Sequence, residues 1–494
     1  MSADTDITME ESTIIRTGNE KMDQNKKETD VQYSHMMNDH VGKLIVTNAI
    51  PTMTNMVMAA FYNAVDTFFV AKLGTAQAGA VGIVLSMMSL ITALGNTFGM
   101  GSCTIISRAL GKKNQEKANL IANSGMAGAL TMSMVILMLG LFVISPIMRL
   151  LGSSETILPY SVAYGRIIMV SAPITMMVSY FQFLMRAEGR AKNSLPATIL
   201  GGFLNIVINP IFIFTLNLGV SGAAIATAIS QMVTLIILIW MFSHKETSVT
   251  LGIRYVAGNA GAYLEILKNG IPTLFRQGCA CIANIMLNHA AADFGDSAVA
   301  AMTVVNKLFQ MAYSLLVGYV QGYQPVVGYN YGARQYKRVK AAFLFLILSS
   351  VSVLAAVGLF SFIFAENLIC LFTESGSEVM EIGVAAFRLQ CISMPFIPFV
   401  VSCGITFQAI GRPKWSTFTS SARQGYIFLP FVLALPKVFG LPGLEITQAL
   451  SDICTFLVAL PFIVLFTREL DRQIREENNI SCGIGKNKTE GSTP

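Results

Sequence analysis

Charge is what this sequence has least of. Asp, Glu, Lys and Arg make up 13% of its 494 residues, against roughly a quarter in a soluble globular domain. The share is also unevenly placed. Of 62 charges, residues 1–43 hold 14 and residues 468–494 hold 10, so the long middle of the chain is poorer still. No water-facing surface can be built from what is left, which excludes a string of soluble domains despite a length that would suit three or four. Enzyme motifs are equally scarce. There is no H-E-x-x-H, no G-x-S-x-G, no paired acidic motif and no Walker A loop, which argues against a membrane enzyme and an ATP-driven machine. Gly99-Met-Gly101 superficially looks like a nucleotide loop, but no strand pattern precedes it. The eight cysteines, at 103, 279, 281, 370, 391, 403, 454 and 482, show no exported pairing pattern and lie mainly in apolar stretches, so they read as small packing residues. Cys279 and Cys281 have no His or carboxylate cluster to complete a metal site. No cofactor, no nucleic-acid partner and no enzymatic activity are expected.

What is present is apolar length. Hydrophobic residues are 53% of the chain and the mean hydropathy is +0.59. Residues 73–107, 118–148, 308–333 and 341–365 carry no charge, and neither do the 52 residues 193–244. A bilayer-crossing helix needs about 20 apolar residues, so 193–244 holds two, with a turn at Asn217-Leu-Gly-Val-Ser-Gly222. The expected fold is all-α and polytopic, with twelve spans near 44–71, 78–106, 118–145, 158–187, 194–216, 219–243, 263–292, 297–327, 339–366, 379–410, 416–438 and 443–467. With the N-terminus inside, the five inner loops hold 16 bases and the six outer loops hold only Lys72, Arg149 and Lys437. The excess of bases on one side places both termini in the cytoplasm. Residues 1–39 are polar with mixed charge and read as a disordered cytoplasmic extension rather than a signal peptide, and 468–494 reads the same way.

The chain repeats itself. Asn48-Ala-Ile-Pro51-Thr returns as Asn269-Gly-Ile-Pro272-Thr, 221 residues later. At the same offset Gly74 meets Gly295, Gly101 meets Gly322, Gly111 meets Gly332, Gly219 meets Gly440 and Ser230 meets Ser451. With a one-residue slip, Gly189-Arg190-Ala-Lys192-Asn-Ser194 meets Gly411-Arg412-Pro-Lys414-Trp-Ser416. A constant offset over this distance marks a duplication. Six spans per half is an even number, so the halves share one orientation and their pseudo-two-fold axis runs along the membrane normal. The expected division is an N-lobe at 40–243, a cytoplasmic loop at 244–261 and a C-lobe at 262–467. Two equal lobes with a cleft between them suit alternating access.

Charges inside spans are costly and point to function. They are Asp66, Arg166, Arg276, Lys307, Arg388, Arg423 and Asp452. Asp66 is the only acid well inside the N-terminal half. A carboxyl there can bind and release a proton, or hold Na⁺ with neighbouring oxygens. Asn55, Ala59, Tyr62 and Asp66 share one helix face, while Pro51 and Pro272 are candidate hinges because proline removes a backbone hydrogen bond. Asn205 and Asn209, one turn apart, offer amides to a protonated Asp66 or to a cation. Polar faces recur at Gln277, Cys281, Asn284 and Asn288 and at Asn306, Gln310 and Ser314, where cavity lining competes with interhelical packing. Soft and flat side chains that suit varied cargo are Met53, Met56, Phe61, Met176, Met177, Tyr180 and Phe309.

The segment Asn63-Ala-Val-Asp66-Thr-Phe-Phe-Val-Ala-Lys-Leu-Gly74 resembles the first span of the MATE (multidrug and toxic compound extrusion) transporters. The Gly189–Ser194 motif with its echo at Gly411 is similar too, and Asn205-x-x-x-Asn209-Pro210 looks like that family's Asn-x-x-x-Asp-Pro motif. The details are most similar to the MepA-like bacterial subgroup. The resemblance implies two lobes in a V, a central drug cavity, and efflux of amphiphilic, cationic compounds driven by inward H⁺ or Na⁺. It makes Asp66 the coupling aspartate, Tyr62 its neighbour and Asn205 the motif's asparagine. Asn209 departs from the family aspartate, and the C-lobe carries Gln277, Arg388 and Gln390 where acids would serve Na⁺, so H⁺ is favoured. A monomer in a bacterial plasma membrane is expected. The alternatives are a lipid-linked oligosaccharide flippase, for which Arg276, Lys307, Arg388 and Arg423 would form a basic cavity, and a channel or membrane enzyme.

Overall fold

The computed structural model describes residues 30–244, 247–373 and 376–489, without the side chains of 62–64, 67, 71, 75, 253 and 480–489. Every regular element among these residues is helical. The N-terminal half runs α1 (Val41–Ala71), α2 (Thr75–Gly111), α3 (Gln115–Phe142), α4 (Leu158–Val170), α5 (Ala172–Ala187), α6 (Leu195–Pro210) and α7 (Gly219–His244). The C-terminal half runs α8 (Ala260–Ala292), α9 (Asp296–Gly332), α10 (Tyr336–Ile363), α11 (Glu378–Ser393), α12 (Ile397–Ala409), α13 (Pro413–Ala422), α14 (Phe428–Phe439) and α15 (Leu441–Thr489). The copy extends to detail. Short helices Ile144–Leu150 and Ala365–Cys370 begin 221 residues apart, and the fourth span of each half breaks at a Ser-x-Pro, Ser171-Ala-Pro173 and Ser393-Met-Pro395. The first of these breaks bends the span by 48°.

Nine helices among the described residues are long and apolar enough to cross a bilayer, ten if the bent α4–α5 pair is one span. Two of the twelve expected spans fall outside that set for identifiable reasons. The seventh, α8, carries Lys268, Arg276, Gln277, Asn284 and Asn288. The eleventh is broken between Ala422 and Phe428 into α13 and α14. Both α1 and α8 continue as helix through Pro51 and Pro272, and the 48° bend between α4 and α5 falls at Ser171.

The duplicated glycines line the seam between lobes. The first helix of each lobe packs on the second helix of the other, α1 on α9 and α8 on α2. A side chain on Gly101 would run into the backbone of Ile266, and one on Gly322 into Ala49. Gly111 faces the backbone of Tyr329, and Gly332 faces Arg108, which are themselves 221 apart. Only glycine permits such approach on α2 and α9. Polar ties gather at the same end: Thr52 Oγ1 donates to the Gly318 carbonyl at 2.7 Å, Arg186 Nη1 to Gln321 Oε1 at 2.7 Å, and Lys117 pairs with Glu265 at 2.9 Å. Gly189 and Gly411 have φ of +74° and +85°, a left-handed turn that glycine adopts freely, so the repeated Gly-Arg motif marks the exit from the bent span.

The flanking segments are more ordered than their composition suggests. Residues 30–38, expected within an unstructured extension, are helical, with Met36 and Met37 buried. This helix touches both lobes: Gln32 donates to the Glu188 carbonyl at 3.2 Å, and Asn330 donates to the Met36 carbonyl at 3.4 Å. The inter-lobe segment after 247 is held along α3, where Asn119 and Asn123 accept from the Thr250 and Gly252 amides at 3.0 and 2.8 Å and Ser124 from Ala257 at 2.9 Å. Residues 468–489, also expected as tail, continue α15.

Candidate functional site

Asp66 lies in α1 at 6% exposure, deep enough that its carboxylate must find donors inside the protein. It finds neutral ones. Asn209 Nδ2 donates to Asp66 Oδ1, and Thr227 Oγ1 donates to Oδ2 at 3.2 Å. Asn205 Nδ2 in turn donates to Thr227 Oγ1 at 3.3 Å. Tyr164, buried in α4, is close enough to feel the Asp66 charge. No lysine or arginine pairs with Asp66 among the described residues. Two amide oxygens, Asn205 Oδ1 and Asn209 Oδ1, are buried with no donor. A carboxylate beside two unsatisfied oxygens has room for one more positive centre, either a proton on Asp66 shared with an amide oxygen or a small cation. No cluster of three or more His, Cys, Asp or Glu exists among the described residues to bind a transition metal.

Asp66 itself lines none of the cavities described here. Asn205 and Thr227 connect it to an N-lobe cavity of about 220 Å³ that also includes Asn55, Met56, Asn96 and Arg186. A neighbouring space of about 300 Å³ carries Gln231 and reaches Gln277 of α8. Between the lobes, Met56, Arg276, Gln277, Gln310 and Gln321 line about 250 Å³. The C-lobe has its own cavity of about 370 Å³ with Asn284, Asn306, Lys307, Phe309, Gln310 and Arg423.

The other residues singled out from sequence lie elsewhere. Met176, Met177 and Tyr180 are buried in the core, and the Tyr180 hydroxyl donates to the Ala122 carbonyl at 2.6 Å. Met53 is at the seam, its backbone against Gly318. Phe61 is 56% exposed and lines none of the cavities described here. Arg388 pairs with Glu366 at 3.1 Å and stacks on Phe362, outside the cavities. Arg166 is exposed as well. Tyr62 lies outside the described side chains. Arg423 is not a free cation: it pairs with Asp452 at 2.7 Å, both buried. Sequence reading missed Thr227, although Thr227, Ser230, Gln231 and Thr234 form a polar stripe at helical spacing on α7. Arg186, one of the 16 bases counted in the inner loops, is 4% exposed at the end of α5 and stacked on Phe183.

Known proteins align with most of this chain, across both halves. The MatE family model matches twice, at residues 51–211 and 272–432, which begin 221 apart like the repeat. The multidrug export protein MepA of Staphylococcus saprophyticus is 25% identical over 446 residues, covering 89% of this chain and 97% of that protein. A solved structure of an outward-facing multidrug resistance MATE family transporter of the MOP superfamily superposes with a TM-score of 0.83 at 27% identity, covering 89% of this chain and 98% of that one. A MOP superfamily transporter from Pyrococcus furiosus, described as having a binding pocket of reverse polarity that suggests a different function, superposes with a TM-score of 0.83 at 26% identity, covering 88% and 98%.

Proposed function

The chain belongs to the MatE family, and from that premise we propose that it is a secondary transporter that exports small amphiphilic drugs or toxic compounds in exchange for inward H⁺ or Na⁺. The observation that carries this reading is Asp66, a buried carboxylate held by Asn209 and Thr227 without a basic partner. A carboxylate locked to arginine keeps its charge through the cycle. One held by neutral groups can lose its charge to a proton, or share it with Na⁺, without stranding a cation. Thr227 and Asn205 belong to both the Asp66 network and the N-lobe cavity wall, so occupancy at Asp66 and cargo in the cavity act on the same side chains. That shared contact supplies the differential interaction an antiporter needs.

The sealed seam lies at the end that the base distribution assigns to the cytoplasm, so the cleft opens outward. In the cycle, a proton or Na⁺ arriving at Asp66 from outside favours release of cargo, and its loss inside resets the lobes. Cavities of about 220–370 Å³ suit a drug-sized group rather than a lipid-linked oligosaccharide, which favours efflux over the flippase reading. No carboxylate lines any of the four cavities described, so their walls offer cargo amides and aromatic faces and do not themselves select a cation.

The test is efflux from proteoliposomes under separately imposed H⁺ and Na⁺ gradients, with ethidium and a fluorescent carboxylate as cargo. Gradient-dependent export that disappears in Asp66→Asn supports the reading. Export that persists in that variant removes Asp66 from coupling, and gradient-independent ion current would indicate a channel.

A further inference from the structure

Two donors in the wall of the C-lobe cavity are buried without an acceptor, and from this we propose that this cavity is a docking site for the anionic head, a carboxylate or phosphate monoester, of the exported amphiphile. The proposal rests on the efflux reading and deepens it by assigning the cargo a charge. In the N-lobe cavity wall the buried atoms without partners are mixed, with the acceptors Asn55 Oδ1 and Asn205 Oδ1 beside the donor Arg186 Nε. In the wall of the C-lobe cavity they are donors, Arg423 Nη1 and Gln390 Nε2. Arg423 is 4% exposed and Gln390 3%, so neither donor is satisfied by bulk water.

Arg423 is fixed in place for this role. Its Nε donates to Asp452 Oδ1 at 2.7 Å and its Nη2 to Oδ2 at 3.5 Å. Its guanidinium lies 4.9 Å from the Phe309 ring and 4.8 Å from that of Tyr313. Those contacts use the side that faces Asp452 and the flat faces, and they leave Nη1 over. Because Asp452 neutralises Arg423, the sign of the cavity is decided by Lys307, which lines it and makes no salt bridge among the described residues. No acid lines this cavity or the inter-lobe space that shares Gln310 and Gln424 with it, where Arg276 adds a second base. A buried donor without an acceptor is costly, and an oxyanion is the guest that satisfies such donors and a lysine together. Leu287, Phe309 and Phe428 in the same wall give the apolar part of the cargo somewhere to lie.

The experiment is equilibrium binding to the full chain in phosphatidylcholine nanodiscs, with no gradient imposed, using radiolabelled octanoate, octyl phosphate and octyltrimethylammonium. At least one anion is expected to bind about tenfold more tightly than the ammonium, the size of one charge-assisted contact. Lys307→Gln is expected to cancel most of that preference, Lys307→Arg to keep it, and Gln390→Leu to reduce it about threefold. Whichever of octanoate and octyl phosphate binds more tightly identifies the head. Equal binding of all three probes, or an unchanged preference in Lys307→Gln, overturns the proposal. Since no gradient is used, a failure of coupled efflux leaves this result standing, and a failure here leaves coupled efflux intact.

Discussion

Each lobe buries one carboxylate in its helical interior, and the two are held in opposite ways. Asp66 in the N-lobe is 6% exposed and accepts from Asn209 and Thr227. Asp452 in the C-lobe is 1% exposed and accepts from Arg423, Gln448 at 3.0 Å and Ser393 at 3.1 Å. The duplication did not produce this symmetry of burial: 221 residues from Asp66 stands Leu287, and 221 residues before Asp452 stands Gln231. The repeat copies glycines, prolines and helix breaks, which shape the backbone, and leaves the charges free to diverge. One lobe thus holds its acid among neutral donors, while the other locks its acid into an ion pair and turns the remaining edge of the arginine toward a cavity.

The comparison breaks most visibly at Asp66. Asp66→Asn should abolish gradient-driven efflux while the protein still inserts and unfolds within about 1 kcal/mol of wild type, because a neutral amide can replace a carboxylate among neutral partners. Thermal unfolding in detergent beside the transport assay checks both halves. Next comes the C-lobe pair. Arg423→Ala leaves Asp452 buried without its cation and should cost about 3–5 kcal/mol, whereas the double replacement Arg423→Met with Asp452→Leu should recover most of it. Equal loss in the single and double variants would mean that the pair is not the source of the cost.

A third buried carboxyl sharpens the contrast outside the membrane. Glu188, just past α5, is fully buried, and that burial pushes it up from 4.5 to about 7, against the lowering effect of Arg190 and of the Val249 amide that donates to it at 2.9 Å. The folded state therefore holds a proton that the unfolded chain has already lost, so stability should fall as pH rises from about 4.5 to about 7. Glu188→Gln should flatten that slope, as read from unfolding midpoints at several pH values. The smallest expected effect is at Thr227. Thr227→Val removes one donor to Asp66 and should cost about 1 kcal/mol, together with a shift in the pH at which efflux is half-maximal. Gln448→Leu, its positional counterpart on α15, should cost a similar amount without moving that pH.

Much of this was legible in the residues. The apolar runs and the distribution of bases need only local chemistry, because a bilayer imposes a length and a side on each helix independently. The repeat was legible for the same reason. Asp66 and its two asparagines could be picked out because polar groups are rare in apolar spans. Arg388 and Arg423 could not be told apart, since both are lone arginines in apolar helices. One pairs with Glu366 at the periphery, the other with Asp452 in the interior, and both partners come from other helices. Met176 and Tyr180 read as cargo contacts, but soft and flat side chains also fill cores, and packing settled which. The order in 30–38 was hidden because its ties to the lobes are with residues 78, 156 and 294 positions away.

By itself the sequence determined the membrane, the duplication, the arrangement of spans and the presence of Asp66 and Asp452 within them, all properties written in composition and period. Only the tertiary structure decided which polar groups share a wall, which arginine is neutralised, and that the repeated glycines press one lobe against the other. Those outcomes depend on distances between helices far apart in the chain, and a periodic pattern on one helix carries no record of what the helix across from it presents.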